Sequence, residues 1–301
     1  MLMHMRYAGG KGADGTFQRI ISLMPPHEIY IEPFYGGGSI MQRKRPAKLN
    51  IGIDRDRAAI EKARPPAESR NGASANAEKG EPAPKSASGS AEPLSRTIEA
   101  PDGLFCFYQE DGIGYLEWTL RMAEQRGILR AKSDPMLIYC DPPYMRHTCA
   151  SSCRYKYDLT DADHRRLLRV LQDLNALPDP PMLMISGYDS ELYREMLMPN
   201  RPATIYDEQP RPFAYWHHIA FQAMTRGGKQ ATEHLWFNFA PPQVLHDYRY
   251  MGTNFRDRER MKRYQAHWVN RLRKMPEAER QALLSAIRET ASTGDAVPPR
   301  S

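Results

Sequence analysis

The most reactive grouping in the chain is Asp141-Pro142-Pro143-Tyr144, which follows the apolar run Met136–Cys140 without a break. Two prolines fix the backbone and cannot continue a sheet, so a strand ends there. Asp141 then projects from the strand's carboxyl end, nearby main-chain carbonyls are held in defined directions, and Tyr144 offers an aromatic face. Such a set suits methylation of an exocyclic amine. The lone pair of an adenine amino group is delocalised into the ring and attacks poorly. A carboxylate and a carbonyl that accept its two N–H bonds localise that pair towards a methyl donor, which stabilises the charge developing in the transition state. In-line orientation adds to the rate, and an aromatic ring can stack on a base turned out of a duplex. Asp141, Pro142 and Tyr144 are therefore the candidate catalytic residues. Taken alone, the tetrapeptide reads equally well as a structural turn.

A second group lies upstream. Phe34-Tyr35-Gly36-Gly37-Gly38 follows the strand-like Glu28–Glu32 and precedes an expected helix at Ser39–Lys44. Glycines there allow a tight turn and close approach of a ligand to the main chain. Asp54 ends a second apolar run, Leu49–Asp54, about twenty residues beyond the first. An acid so placed can accept from ribose hydroxyls, or cap a helix beginning near Arg55-Asp56-Arg57. His147, Cys149 and Cys153 lack a fourth ligand at a familiar spacing, and no metal is expected.

The elements that must carry these groups alternate. Leu104–Tyr108 and Met182–Ser186 are further strand candidates. Asp161–Leu174 is an amphipathic helix capped by Thr160 or Asp161, and Tyr188–Met198 is another. Strands alternating with helices predict an α/β, doubly wound, mostly parallel sheet. His218–Met224 and His234–Phe239 then flank Gly227-Gly228 as a C-terminal hairpin, and Pro276–Thr290 reads as a helix. Between the folded parts, Pro65–Arg96 is Ala, Ser, Pro, Glu, Gly and Asn with Leu94 its one large apolar residue, and is expected to be disordered. The expected organisation is a catalytic domain of residues 1–64 and 97–245, the insertion 65–96, and a basic helical extension, 246–301.

The 301 residues carry a net charge of +6, which suits a polyanionic partner. Four cysteines make no disulfide framework. Met1–Arg6 has no signal-like apolar run and no stretch matches a membrane span, so a cytoplasmic, soluble protein is expected.

Taken together, these motifs resemble the Dam-like DNA adenine-N6 methyltransferases. The resemblance runs through Tyr7-Ala8-Gly9-Gly10-Lys11, Tyr30–Gly38, Gly52-Ile53-Asp54 and Ile138–Tyr144, in that order, and covers roughly residues 5–62 and 104–240. It implies a Rossmann-like methyltransferase sheet and S-adenosylmethionine as cofactor. Tyr7 and Lys11 would contact that cofactor, Lys11 at its carboxylate. Pro33, Phe34, Gly36 and Gly38 would shape the methionine end of the pocket, and Asp54 would hold the ribose. Asp111 would meet the cofactor adenine, and Asp141, beside the cofactor, would bind the target base with Pro142 and Tyr144. DNA is the implied partner.

The chain departs from the family at 65–96, where a folded target-recognition module is usual. Either specificity is relaxed or recognition has moved. Candidate DNA contacts are Arg154 and Lys156 after the catalytic motif, Arg226 and Lys229 at the hairpin turn, and Arg256, Arg260 and Arg263 in the basic, aromatic segment Tyr248–Lys274. Phosphate contacts of this kind supply affinity without sequence information. An RNA adenine methyltransferase and a catalytically silent nucleic-acid-binding protein are the competing expectations. Restriction, phage protection and regulatory marking all remain compatible roles.

Overall fold

The computed structural model describes residues 11–12, 15–66, 94–126, 134–148, 156–197, 216–224, 230–252 and 254–292. Met1–Tyr250 and Met251–Ser301 form two separate compact units. Among the described residues of the first, eight strands make one sheet in the order β3-β4-β2-β1-β5-β6-β8-β7. They are β1 (Ile29–Glu32), β2 (Leu49–Asp54), β3 (Ser95–Ala100), β4 (Gly103–Gln109), β5 (Met136–Cys140), β6 (Met182–Gly187), β7 (His217–Met224) and β8 (Gln230–Phe237). The five central strands, β4 to β6, run parallel. β3 is antiparallel to β4 at one edge, and β8 is antiparallel to both β6 and β7 at the other.

Side chains alternate cleanly across this sheet because the strand period is two. Ile31, Ile51, Ile53, Ile138, Cys140 and Ile185 face one core, with residues of α3 (Gly112–Arg126), α4 (Asp161–Asn175) and α5 (Glu191–Leu197). Tyr30, Phe105, Phe107, Leu137, Tyr139 and Met184 face the other, with α1 (Thr16–Ile21) and α2 (Arg57–Lys62). Both faces are covered, which is why the central strands read as unbroken apolar runs. α4 starts where Thr160 and Asp163 exchange side-chain and main-chain hydrogen bonds, and α2 starts at Asp56, whose carboxylate accepts from the Ala58 amide.

The chain crosses from β1 to β2 on one side and later returns to place β5 on the other side of β1. The strand order reverses between β1 and β5, and in open α/β sheets the crevice for ligands lies at the carboxyl ends of such strands.

Three expectations need correction. Ser39–Lys44 is a series of turns, not a helix; buried Glu32 takes the Met41 amide, and Lys44 is fully buried with its ammonium on the Arg45 carbonyl. The low-complexity segment ends earlier than Arg96. Ser95 and Arg96 open β3, and the Arg96 guanidinium donates to the carbonyls of Ile60, Glu61 and Ala63, so it closes the end of α2. The extension also begins later than 246. The His246 amide bonds the Met24 carbonyl, its ring stacks on His27 at 3.7 Å, and Asp247 accepts from the Arg45 amide. In the second unit, α6 (Phe255–Arg273) and α7 (Glu277–Ser292) are the helices described. Among the described residues no helix is long and apolar enough to cross a membrane.

Candidate active site

Asp141 stands directly after β5 and is anchored from two directions. The Ser186 hydroxyl, on β6, donates to its Oδ1 at 3.0 Å, and the Lys11 ammonium lies 2.7 Å from the same oxygen. Ser186 is in turn linked to the Tyr139 hydroxyl at 2.9 Å. Both partners engage Oδ1. Lys11 also reaches Glu233 Oε1 at 3.0 Å and the Tyr144 hydroxyl, and sits 4.5 Å from the centre of the Tyr144 ring. Tyr144 donates to Glu233, with its hydroxyl 3.0 Å from each carboxylate oxygen, and its ring packs on Tyr188 at 4.3 Å. One buried ammonium thus joins two carboxylates and a phenol.

Burial opposes the charges of Lys11 and Glu233. It would depress the Lys11 ammonium, but Asp141 and Glu233 hold that group well above its ordinary pKa. Burial pushes Glu233 up, and Lys11 pulls it back. Lys11 is therefore a cation among acids. Its ammonium contacts Asp141, Glu233 and the Tyr144 hydroxyl.

The glycine loop lies beside this cluster, at the end of β1. Gly36 and Gly38 have φ of 50° and 61°, where L side chains are strained. A Cβ on Gly38 would fall 2.3 Å from the Tyr35 ring, whereas one on Gly36 would meet nothing within 4 Å. The loop therefore presents open main chain at Gly36 and is braced underneath by Tyr35. Asp54, at the end of β2, fastens it. Its Oδ2 accepts from the Gly36 amide at 2.6 Å and its Oδ1 from the Asp56 amide at 2.7 Å. The helix-cap role belongs to Asp56. Phe34 packs on the main core, and Pro33 presses on Gly112, where any side chain would strike the Pro33 carbonyl. Beneath the loop, Glu32 is buried with Tyr30 and the Met41 amide donating to it, and burial beside Asp141 lifts its pKa to about 8.

At the end of β4, Asp111 is spent on structure. It accepts from the Ile113 and Gly114 amides at the start of α3 and pairs with Arg55 at 2.8 Å and Arg166 at 3.5 Å. Its neighbour Glu110 has a buried oxygen, Oε2, with no hydrogen-bond partner, and burial raises its pKa.

The expected DNA contacts fare differently. Lys156 is paired with Asp56 at 2.7 Å. Arg256, Arg260 and Arg263 are exposed on α6. Tyr7, Arg154, Arg226 and Lys229, and with them Cys149 and Cys153, lie outside the described residues. The structure thus brings together Lys11, Asp141, Tyr144, the glycine loop and Asp54. It adds Glu233, Ser186, Glu110 and Glu32. Glu233 had a faint signal, a lone acid within the otherwise apolar and aromatic end of β8. The others had none, because their roles depend on partners distant in sequence.

No family model matches this chain, and no curated protein matches it. Among solved structures it is similar to a crystal structure described as precorrin 8w decarboxylase from Methanobacterium thermoautotrophicum. That likeness has 11% identity and a TM-score of 0.33, over 80% of this chain and 100% of the other. A likeness this weak carries no argument about function.

Proposed function

We propose that this protein transfers a methyl group from S-adenosylmethionine to the N6 amino group of adenine in DNA, on a methyltransferase-type Rossmann-like sheet. One observation carries the proposal. The glycine loop with its Asp54 tether and the Asp141-Pro142-Pro143-Tyr144 turn lie at the ends of adjacent strands, on either side of the reversal in strand order.

The residues present fit the cofactor. Gly36 offers open main chain, Asp54 retains acceptor capacity for a ribose, and Glu110 has an unpartnered buried oxygen suited to an adenine amine. Pro33, Phe34 and Gly38 would complete the methionine end. Glu110 replaces Asp111 as the acid for the cofactor's base. When bound, S-adenosylmethionine supplies an electrophilic methyl on a sulfonium.

The protein's own part is orientation and charge. Asp141 Oδ2 and the Pro142 main-chain carbonyl would accept the two N–H bonds of the target amine and direct its lone pair at the methyl carbon. The amine nitrogen would take the methyl as the carbon–sulfur bond breaks and a neutral thioether leaves, and Asp141 Oδ2 would accept the proton that the nitrogen gives up. Ser186 and Lys11 hold the other Asp141 oxygen, so the carboxylate keeps one orientation. Tyr144, braced by Glu233 and Tyr188, offers its ring to the base.

Exposed Arg256, Arg260 and Arg263 on α6, with exposed Tyr264 and Trp268 on the same helix, support a phosphate-binding extension with little sequence preference. The test is methyl transfer from labelled cofactor to unmethylated genomic DNA and to matched RNA, with Asp141→Ala as control and base-resolution mapping of the product. N6-methyladenine in DNA, absent with Asp141→Ala, is expected. Transfer to RNA alone would replace DNA as the substrate, and no transfer to either would refute the proposal.

A further inference from the structure

We infer that Glu233 is a positioning residue, fixing the Tyr144 ring and the Lys11 ammonium against Asp141; the inference rests on the methyl-transfer function proposed above. Glu233 lies on antiparallel β8, one residue beyond the last β6–β8 pair, Gly187↔His234. Its side chain can therefore reach the site without belonging to the parallel strands that carry the other residues. It is 3% exposed. An acid so enclosed is costly unless paired. Here Lys11 and the Tyr144 hydroxyl both meet it at 3.0 Å.

A phenol donating to a carboxylate makes a charge-assisted hydrogen bond, stronger and more directional than a neutral one. That bond fixes the Tyr144 ring between its hydroxyl and its packing on Tyr188. The shared Lys11 ammonium then couples the position of β8 to that of Asp141. Without Glu233, Lys11 keeps Asp141 as its anionic partner among the described residues, and the Tyr144 hydroxyl loses its charge-assisted bond to this carboxylate. The base platform loosens while the glycine loop and Asp54, which Glu233 does not touch, stay as they are.

The experiment uses the full chain with Glu233→Gln and Glu233→Asp. It measures thermal unfolding, cofactor affinity, kcat and KM for DNA, and the Lys11 Nζ titration by NMR of labelled lysine. Glu233→Gln is expected to lower kcat by about a hundredfold, the scale of a small misplacement at a reacting centre, with cofactor affinity and melting little changed. Glu233→Asp is expected to restore part of the rate. The groups facing Glu233 are Lys11, Asp141 and Tyr144, so the acid limb of the kcat profile is expected to change shape in the glutamine variant, and Lys11 to titrate lower. An unchanged kcat would overturn the inference. So would a parallel fall of melting temperature, cofactor affinity and rate, which marks a structural brace. If the wild-type protein transfers no methyl to any nucleic acid, the proposed function fails. The positioning claim is then read from the NMR shifts of the Tyr144 ring: shifts changed in Glu233→Gln and partly restored in Glu233→Asp support it, and unchanged shifts refute it.

Discussion

Glu32 makes the fold pH-dependent in a way that can be calculated. It is fully enclosed at the end of β1, accepts hydrogen bonds from Tyr30 and the Met41 amide, and has its pKa lifted from 4.5 to about 8, first by burial and then by Asp141. The folded state therefore favours the neutral acid. A raised pKa gives stability that is complete below the unfolded value and is lost as pH climbs towards the folded one. The window is about pH 4.5 to 8. At about 1.4 kcal/mol per pH unit, full ionisation costs about 5 kcal/mol, of which about 4 kcal/mol falls between pH 5 and pH 8.5. Glu32→Gln keeps the shape and the accepting oxygen but cannot ionise. Denaturant unfolding of both proteins, followed by tryptophan fluorescence at pH 5 and pH 8.5, isolates the term. The wild type should lose about 4 kcal/mol relative to Glu32→Gln over that range. Lys44, whose pKa burial lowers to about 7, titrates in both proteins, so most of its effect cancels. A stability difference that stays constant with pH would refute the account of Glu32.

The remaining predictions concern the loop and the extension. Gly38→Ala should destabilise by about 2 kcal/mol or more and weaken cofactor binding, because it adds a clash with Tyr35 to a strained backbone. Gly36→Ala should cost only about 1 kcal/mol of backbone strain, its Cβ meeting open space; equal effects in thermal melts would deny Tyr35 its bracing role. Truncation after Tyr250 should leave the melting temperature and cofactor binding of the first unit intact, lower DNA affinity, and flatten its salt dependence. Unchanged affinity and salt slope would remove α6 from the DNA surface.

The central fold was legible where strands are buried on both faces. β2 and β5 appear in the sequence with the boundaries the structure gives them, because Leu49–Asp54 and Met136–Cys140 are apolar runs that stop at an acid or a proline. β3 was not legible. Ser95–Ala100 is polar and sits at an edge, and its conformation comes from pairing with β4 rather than from its own composition. The turns at 39–44 mimicked a helix because local spacing shows neither the burial of Lys44 nor the pull of Glu32 on Met41. In the candidate site, the motifs singled out Asp141, Tyr144, Lys11 and Asp54, of which the structure brings Asp141, Tyr144 and Lys11 into contact. The sequence pointed to Asp111, since only the fold reveals that α3 consumes that carboxylate. It could not pair Glu233 with Tyr144, residues that meet only once β8 has been inserted beside β6.

The anchoring of Arg96 to the end of α2 has an evolutionary side. Its hydrogen bond to the Ala63 carbonyl, 2.9 Å long, means that the chain leaves the fold and re-enters it at nearly the same point. A segment spliced between these two points is tied at both ends. Doubling the length of such a loop costs only about 0.6 kcal/mol in closure entropy. The sheet is thus almost indifferent to what is spliced between Pro66 and Leu94. A lineage could gain, lose or exchange a whole module at this doorway while inheriting the sheet intact.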